Sequence, residues 1–453
     1  MGETDASPII VWFRRDLRLA DNPALKAAAD SGRPVIPLYI LDETPGMRRP
    51  GAASCWWLDK SLKALASSME ALGSRLILRR GVAAEILRQL TAETGANAVH
   101  WNRLYDPGLV ERDMEMKKAL RAEVRSYNAS LLTEPWEVQT GAGKDFSVFT
   151  PYWRAARTRL ARVETPPAPR RLKAPVTWPA SDDLAAWKLH PTHPDWSGGF
   201  DIWTPGEAGA RGRLHRFLDK EVHRYSERRD RPDLDRTSRL SPHLHFGEIS
   251  PRQIWIAAEA AVATGEAAYI DVDKFLAELG WREFNHHVLF YHPRIVSENL
   301  KRGFDAMRWR KDVKALRAWT EGRTGYPLVD AGMRQLWVTG FMHNRVRMVV
   351  ASFLVKHLLI DWREGERWFW DTLVDADHAN NAANWQWVAG SGADASPWFR
   401  IFNPIGQAAK FDPDGEYVRR WVPELDTASY PTPIVDHPAA RARALEALKA
   451  ARV

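Results

Sequence analysis

The sequence predicts a parallel-sheet α/β domain at the amino terminus and an all-α domain at the carboxy terminus, joined by a long linker. Three observations carry this prediction. The chain has 453 residues, more than the roughly 250 to 300 at which one hydrophobic core stops growing. Its first 135 residues alternate short β-rich runs with helical patterns. From about Gly206 onward the patterns are helical almost throughout.

Taken in order, PIIVWF, RPVIPLYIL, SRLILRR and NAVHWNR are apolar runs bounded by turn residues, as buried strands are. Between them NPALKAAAD and WWLDKSLKALASSMEAL carry apolar residues at helical spacing, so the strands are joined by crossover helices and pair in parallel. No GxGxxG follows the first run, where RRDLRLADNP stands, so an ordinary dinucleotide fingerprint is absent. GAGK, Gly141 to Lys144, is no phosphate loop, because Val138 stands where the first Gly belongs and Asp145 follows the Lys. Residues 136–205 form the expected linker. Within it VETPPAPRRLKAPVTWPA and HPTHPDWSGGF are rich in Pro and Gly and predict a connection running over the surface. Residues 206–453 form the helical domain, closing on HPAARARALEALKAARV, which reads as one amphipathic helix.

Composition excludes several classes. With 45% hydrophobic and 27% charged residues the chain is neither disordered nor, lacking an apolar run near the ~20 residues needed, membrane-spanning. The opening MGETDASPII has no basic segment before an apolar one, so a cytoplasmic protein is expected. A single cysteine, Cys55, leaves no internal disulfide and no multi-cysteine metal site. The net charge of +7 favours a polyanionic partner. The 22 Trp suggest aromatic work such as stacking or electron transfer, although a Trp-rich core accounts for any single one.

Four clusters have chemical potential. In DADHANNAANWQW, Asp377, Asn381 and Trp385 are four apart, with Asp375 just before them, and would share a helix face. Such a face can read the polar edge of a flat heterocycle, and it serves equally as a buried polar network beside a core Trp. Glu278 and Trp281, at i and i+3 with Arg282 next, pair a carboxylate with an aromatic, although an exposed Glu is the default. Asn344 and Met348 repeat a polar and soft pairing at i and i+4, and solvated Arg345 and Arg347 around a core Met are the plainer reading. TSRLSPHL, Thr237 to Leu244, offers hydroxyls for a phosphate or for a helix cap. His286, His287 and His292 lack metalloprotease spacing and read as packing or surface residues, so no metal site is expected.

Read together, VWFRRDLRLADNPAL, TSRLSPHLHFGEIS, ELGWREF, TGYPLVDAGMRQL, MHNRVRM, LLIDWREGE and DADHANNAANWQWVAGSG resemble the photolyase and cryptochrome family, specifically bacterial cyclobutane pyrimidine dimer photolyases. The resemblance covers nearly the whole chain in order. It implies an antenna domain, a linker and a helical domain holding FAD, acting on UV-damaged DNA as a monomer.

The resemblance assigns Tyr225, Thr237, Ser238 and Ser241 to the FAD phosphate and ribityl region, with Arg282 close by, and sets Asp375 and Asp377 beside the isoalloxazine and adenine. Asn381 matches the residue facing flavin N5. Glu278 matches the carboxyl that bonds the damaged bases, Asn344 and Met348 match further dimer contacts, and Trp281 and Trp387 match the walls for the extruded dinucleotide. Arg229, Arg345, Arg400 and Lys410 match positions around the cavity that hold phosphates beside the lesion. Trp385, Trp362 and Trp309 align with the indole chain that carries an electron from the surface to oxidised flavin.

The alternative is a cryptochrome, a photoreceptor signalling through a partner. Against it stand Asn381, the repair set and the absence of a long signalling tail. A 6-4 photolyase would carry His where Asn344 stands. GAASCWWLDKSL and WNRLYDP resemble branches that bind a second chromophore, expected to be methenyltetrahydrofolate or alternatively a deazaflavin, although Leu109 replaces the acidic folate contact of some relatives. Ala408 and Ala409 in NPIGQAAKF depart from the usual Gly and acid.

Overall fold

The structure, a computed structural model, describes residues 7–160, 163–395 and 399–451. The expectation drawn from the opening MGETDA, and the last two residues of the closing helix, lie outside them. The amino-terminal domain holds five strands: β1 (Ile9–Phe13), β2 (Val35–Asp42), β3 (Ile77–Gly81), β4 (Ala98–Asn102) and β5 (Glu123–Tyr127). All pair in parallel in the order β3-β2-β1-β4-β5. Alternation of side chains sends Ile9, Val11 and Phe13 into one helix-covered layer and Ile10 and Trp12 into the other. β1 and β4 are buried along their whole length, and β1 is accordingly apolar end to end.

β5, EVRSY, escaped the sequence reading. It is an edge strand with exposed Glu123 and Arg125, the charged composition that blunts an open edge.

The order reverses between β1 and β4, the place where open parallel sheets hold ligands. Here side chains fill it. Arg14 donates to Asp113 at 2.6 Å and lies 4.8 Å from the Trp12 ring, while Asn102 donates to Asp16 at 2.5 Å and to Asn22 at 2.7 Å.

The linker runs largely over the surface, as expected, but large apolar residues anchor it to the core. Leu172, Trp187, Leu189, Phe200 and Trp203 are buried in the core layer that also holds β1. The Lys173 carbonyl accepts the Val35 N–H at 2.9 Å, and the Leu78 carbonyl accepts that of Asp182 at 2.8 Å. Pro and Gly keep the segment irregular, but its spaced large apolar residues still gain by leaving water. The helix Phe149–Arg157, also within residues 136–205, joins the helical core through Phe149, Tyr152 and Trp153.

The carboxy-terminal half is helical. Its longest helix, Tyr269–Tyr291, packs against His378–Ala389, and these two frame the site. No helix among the described residues is long and apolar enough to cross a membrane.

Candidate functional site

A cavity of about 540 Å³ opens in the helical domain. Helix Tyr269–Tyr291 turns Glu278, Trp281 and Arg282 into it, one turn of side chains on a single face. Helix Asn344–Ser352 adds Asn344, Arg345 and Met348, and helix His378–Ala389 adds Asn381, Trp385 and Trp387. Tyr225, Arg229, Thr237, Ser238, Ser241, Asp375 and Asp377 complete the predicted part of the lining. Thus clusters far apart in sequence converge on one hollow.

The hydroxyl segment is not a side-chain cap. Arg213 donates to the carbonyls of Thr237 and Ser238, each at 2.7 Å, pinning the loop from behind. Ser241 opens a five-residue helix without capping it and donates instead to Asp375 at 2.6 Å. Asp375 also accepts two bonds from Arg347, at 3.1 and 2.9 Å. Asp377 is the N-cap of the next helix and accepts the Asn380 N–H at 2.7 Å. The solvated-arginine reading of Arg345 and Arg347 is therefore corrected: Arg347 pairs with Asp375, and Arg345 pairs with Asp230 at 2.6 Å.

Glu278 and Arg229, assigned to lesion and phosphate respectively, are ion-paired with each other. Burial alone would weaken the Arg229 charge, but the hydrogen bond and field of Glu278 hold its pKa above the ordinary value. Trp281 stacks on Phe149 with ring centres 3.9 Å apart and planes 10° apart. Phe149 comes from the linker range and was not foreseen, because a stacking partner across 132 positions leaves no periodic signal.

Trp385 and Trp362 are buried, and Trp309 is half-buried against the same core cluster. Trp385 meets Phe369 edge-on at 5.0 Å and Trp319 at 6.2 Å, and the Trp362 indole donates to Asn299 at 2.9 Å. Gly365 makes room for this array: a Cβ there would lie 2.1 Å from Trp385 Cη2 and 2.6 Å from Leu354 Cδ2. Gly365→Ala is expected to destabilise the protein by about 1–3 kcal/mol through overpacking, read as a lower urea midpoint at constant slope.

Lys410 lies off the main cavity, in an adjoining hollow with Arg231 and Arg345. Arg400 lines neither; it is exposed, and its carbonyl accepts from buried Lys356. Ala408 packs partly against the helical core, and Ala409 is exposed.

Several lining residues were missed. Arg15, Tyr105, Asp106 and Ser130 reach the cavity from the sheet domain, at the carboxyl ends of β1 and β4 and the turn after β5. His286 lines it too, which corrects the packing reading for that residue; His287, by contrast, is buried, and His292 pairs with Asp145 at 2.8 Å. Among the described residues no cluster of three metal-ligating side chains occurs.

Arg239 Nε, Arg345 Nε and His245 Nδ1 are buried atoms on this cavity with no hydrogen-bond partner among the described residues. Nε donors left over on ion-paired guanidiniums, beside the Thr237 and Ser238 hydroxyls, suit an anionic, phosphorylated ligand. A flat group would meet Trp385 and the polar pair Asp377 and Asn381, so the lining fits a dinucleotide carrying an aromatic ring.

Behind the cavity, Glu283 ties the domains together. It accepts the Leu132 N–H at 2.7 Å, while Arg282 donates to it at 3.0 Å and to the Ser130 carbonyl at 2.8 Å. Burial pushes the Glu283 carboxyl from 4.5 up to about 7, despite Arg282 and the backbone donors. A raised folded-state pKa contributes stability that is full below pH 4.5 and is lost as pH rises through about 7. Relative to Glu283→Gln, the wild type should lose roughly 3 kcal/mol across that window. Urea unfolding at several pH values checks this, and parallel curves would refute it.

The FAD binding domain of DNA photolyase matches residues 275–429, and the DNA photolyase domain matches residues 9–171. A deoxyribodipyrimidine photo-lyase of Agrobacterium fabrum is 52% identical over 98% of each chain. Cryptochrome-1 of Arabidopsis thaliana is 41% identical over 95% of this chain and 64% of its own length. The crystal structure of a bacterial class III photolyase from Agrobacterium tumefaciens superimposes with a TM-score of 0.96 at 51% identity, covering 100% of this chain and 99% of the other.

Proposed function

The chain belongs to the DNA photolyase family, and on that premise we propose that it repairs cyclobutane pyrimidine dimers in DNA in a light-dependent reaction. The observation that carries this reading is the convergence of Glu278, Trp281, Asn344, Met348 and Trp387 on the cavity that also presents the hydroxyls and unpartnered nitrogen atoms suited to FAD.

A dimerised pair inside a duplex is out of reach, so it must be turned out into the hollow, at a cost of a few kcal/mol that is smallest for damaged bases. Trp281, braced by Phe149, and Trp387 offset this by stacking, about 1–3 kcal/mol per base. Glu278, oriented by Arg229, faces the base edges together with Asn344, and Met348 fills the gap beside them. Arg229, Arg345, Arg400 and Lys410 hold the flanking phosphates, contacts that position DNA without reading its sequence. Arg345 exchanges Asp230 for a phosphate on binding.

Tyr225, Thr237, Ser238, Ser241 and Arg282 hold the phosphate and ribityl portion of FAD, and Asp375, Asp377 and Asn381 hold its rings. When bound and reduced, FAD would supply light-driven one-electron chemistry to a pair held in the hollow. Trp385, Trp362 and Trp309 would form the route for electrons from the surface to the cofactor in its oxidised form, a role separate from repair.

Residues 1–135 serve as the antenna domain, 136–205 as the linker and 206–453 as the catalytic domain. The second chromophore is methenyltetrahydrofolate, and an absorption spectrum of the purified protein lacking its band would favour a deazaflavin or none. The protein acts as a cytoplasmic monomer on UV-damaged DNA. Illumination of the reduced protein with dimer-containing DNA tests the central reading: intact pyrimidines should return. Failure to restore them, with FAD bound, would favour a light sensor acting through a partner.

A further inference from the structure

A chain of three side chains runs from the sheet domain to the cavity wall. Its first member, Arg48, sits in the loop after β2, and that loop is seated hard on the helix Trp362–Thr372. A Cβ on Gly51 would lie 2.0 Å from the Trp370 carbonyl oxygen. Asp371 accepts the Ala52 N–H at 3.0 Å, and the Arg49 carbonyl accepts the Trp370 indole N–H at 2.9 Å. From this seat Arg48 lays its guanidinium 3.8 Å from the Trp370 ring centre and donates to both Glu366 oxygens, at 2.7 and 2.9 Å. Glu366 is buried. Its Oε1 also accepts from Asn381 Nδ2 at 2.7 Å, and its backbone carbonyl accepts from the same nitrogen at 3.0 Å.

These partners fix the Asn381 amide. An ionised carboxylate and a carbonyl only accept, so the nitrogen must face Glu366 and the amide oxygen is left for the cavity. The backbone carbonyl favours this orientation by itself, and a carboxylate, having only acceptors, reinforces it. A neutral carboxyl carries an O–H, and an amide turned over to accept it would present its nitrogen to the cavity instead. The cations acting on Glu366 are Arg48, in bidentate contact, and Arg367 of the same helix, which is bonded to Glu364. Arg48 is therefore the side chain that answers both oxygens of the buried carboxylate, and a buried ion stripped of its partner tends to neutralise.

We propose that Arg48 is a positioning residue for the flavin pocket, acting from the other domain through Glu366 to hold the Asn381 amide with its oxygen toward the cavity. This rests on the reading that Asn381 faces the flavin. The test measures the pH dependence of the bound flavin's midpoint potential and visible spectrum in the FAD-loaded wild type and in Arg48→Met, Glu366→Gln, Asn381→Ala and the Arg48→Met, Glu366→Gln double variant. Arg48→Met should introduce an inflection that the wild type lacks. Glu366→Gln should displace the curve without an inflection, and the double variant should coincide with Glu366→Gln. An Arg48→Met curve that overlays the wild type, or one whose effect adds to that of Glu366→Gln, would overturn the proposal. Unchanged curves for both Glu366→Gln and Asn381→Ala would instead overturn the reading beneath it. Should Arg48→Met not retain FAD, Arg48→Gln, which keeps a neutral donor, makes the same comparison.

Discussion

Arg347→Leu is expected to lose about 3–5 kcal/mol of stability and to emerge from purification without its flavin. The reason is Asp375, whose side chain is only 4% exposed and which depends on Arg347 for two of its hydrogen bonds. Removing one member of a buried pair leaves the other charge uncompensated, which costs far more than the intact pair contributes. Ser241 alone, with one neutral hydroxyl at 2.6 Å, does not replace a guanidinium. Adding Asp375→Leu to the first change removes the stranded charge and should restore most of the stability but none of the FAD binding. Urea unfolding of both variants, with flavin content measured alongside, checks the pair. Equal stability of the two would refute the account.

The second large effect concerns how the cofactor becomes reduced. Trp385→Phe should slow photoreduction at least tenfold, about 1.4 kcal/mol of effective barrier, while enzyme reduced beforehand still splits dimers at the wild-type rate. Phe fits the space bounded by Phe369 and Trp319 without strain. The Trp385 indole nitrogen has no hydrogen-bond partner among the described residues, so its loss strands no donor or acceptor. Loss of repair in the prereduced variant would mean that Trp385 takes part in dimer splitting itself.

What could be read from the sequence divides along physical lines. β1 to β4 were legible because each carries a run of buried apolar residues, and β5 was not, because an edge strand shares its composition with loops. Glu278 with Trp281, and Asn381 with Trp385, were visible as shared helix faces, but helical spacing left their purpose open until long ordered motifs gave it. Contacts across the chain were hidden. Phe149 behind Trp281, Asp106 and Arg15 on the cavity, and Arg347 beneath Asp375 are pairings between separate elements, which periodicity does not encode. The linker's anchors were hidden for a related reason: Pro and Gly report irregular backbone and do not tell which of its spaced apolar residues turn inward.

Leu172, Trp187 and Phe200, inserted beneath the sheet, also set how the halves can be inherited. A recombination event joining a foreign linker and catalytic half at residue 135 would have to bring wedges that match this hollow, or leave it flooded. The chain should therefore exchange parts only when the connecting segment travels with the sheet.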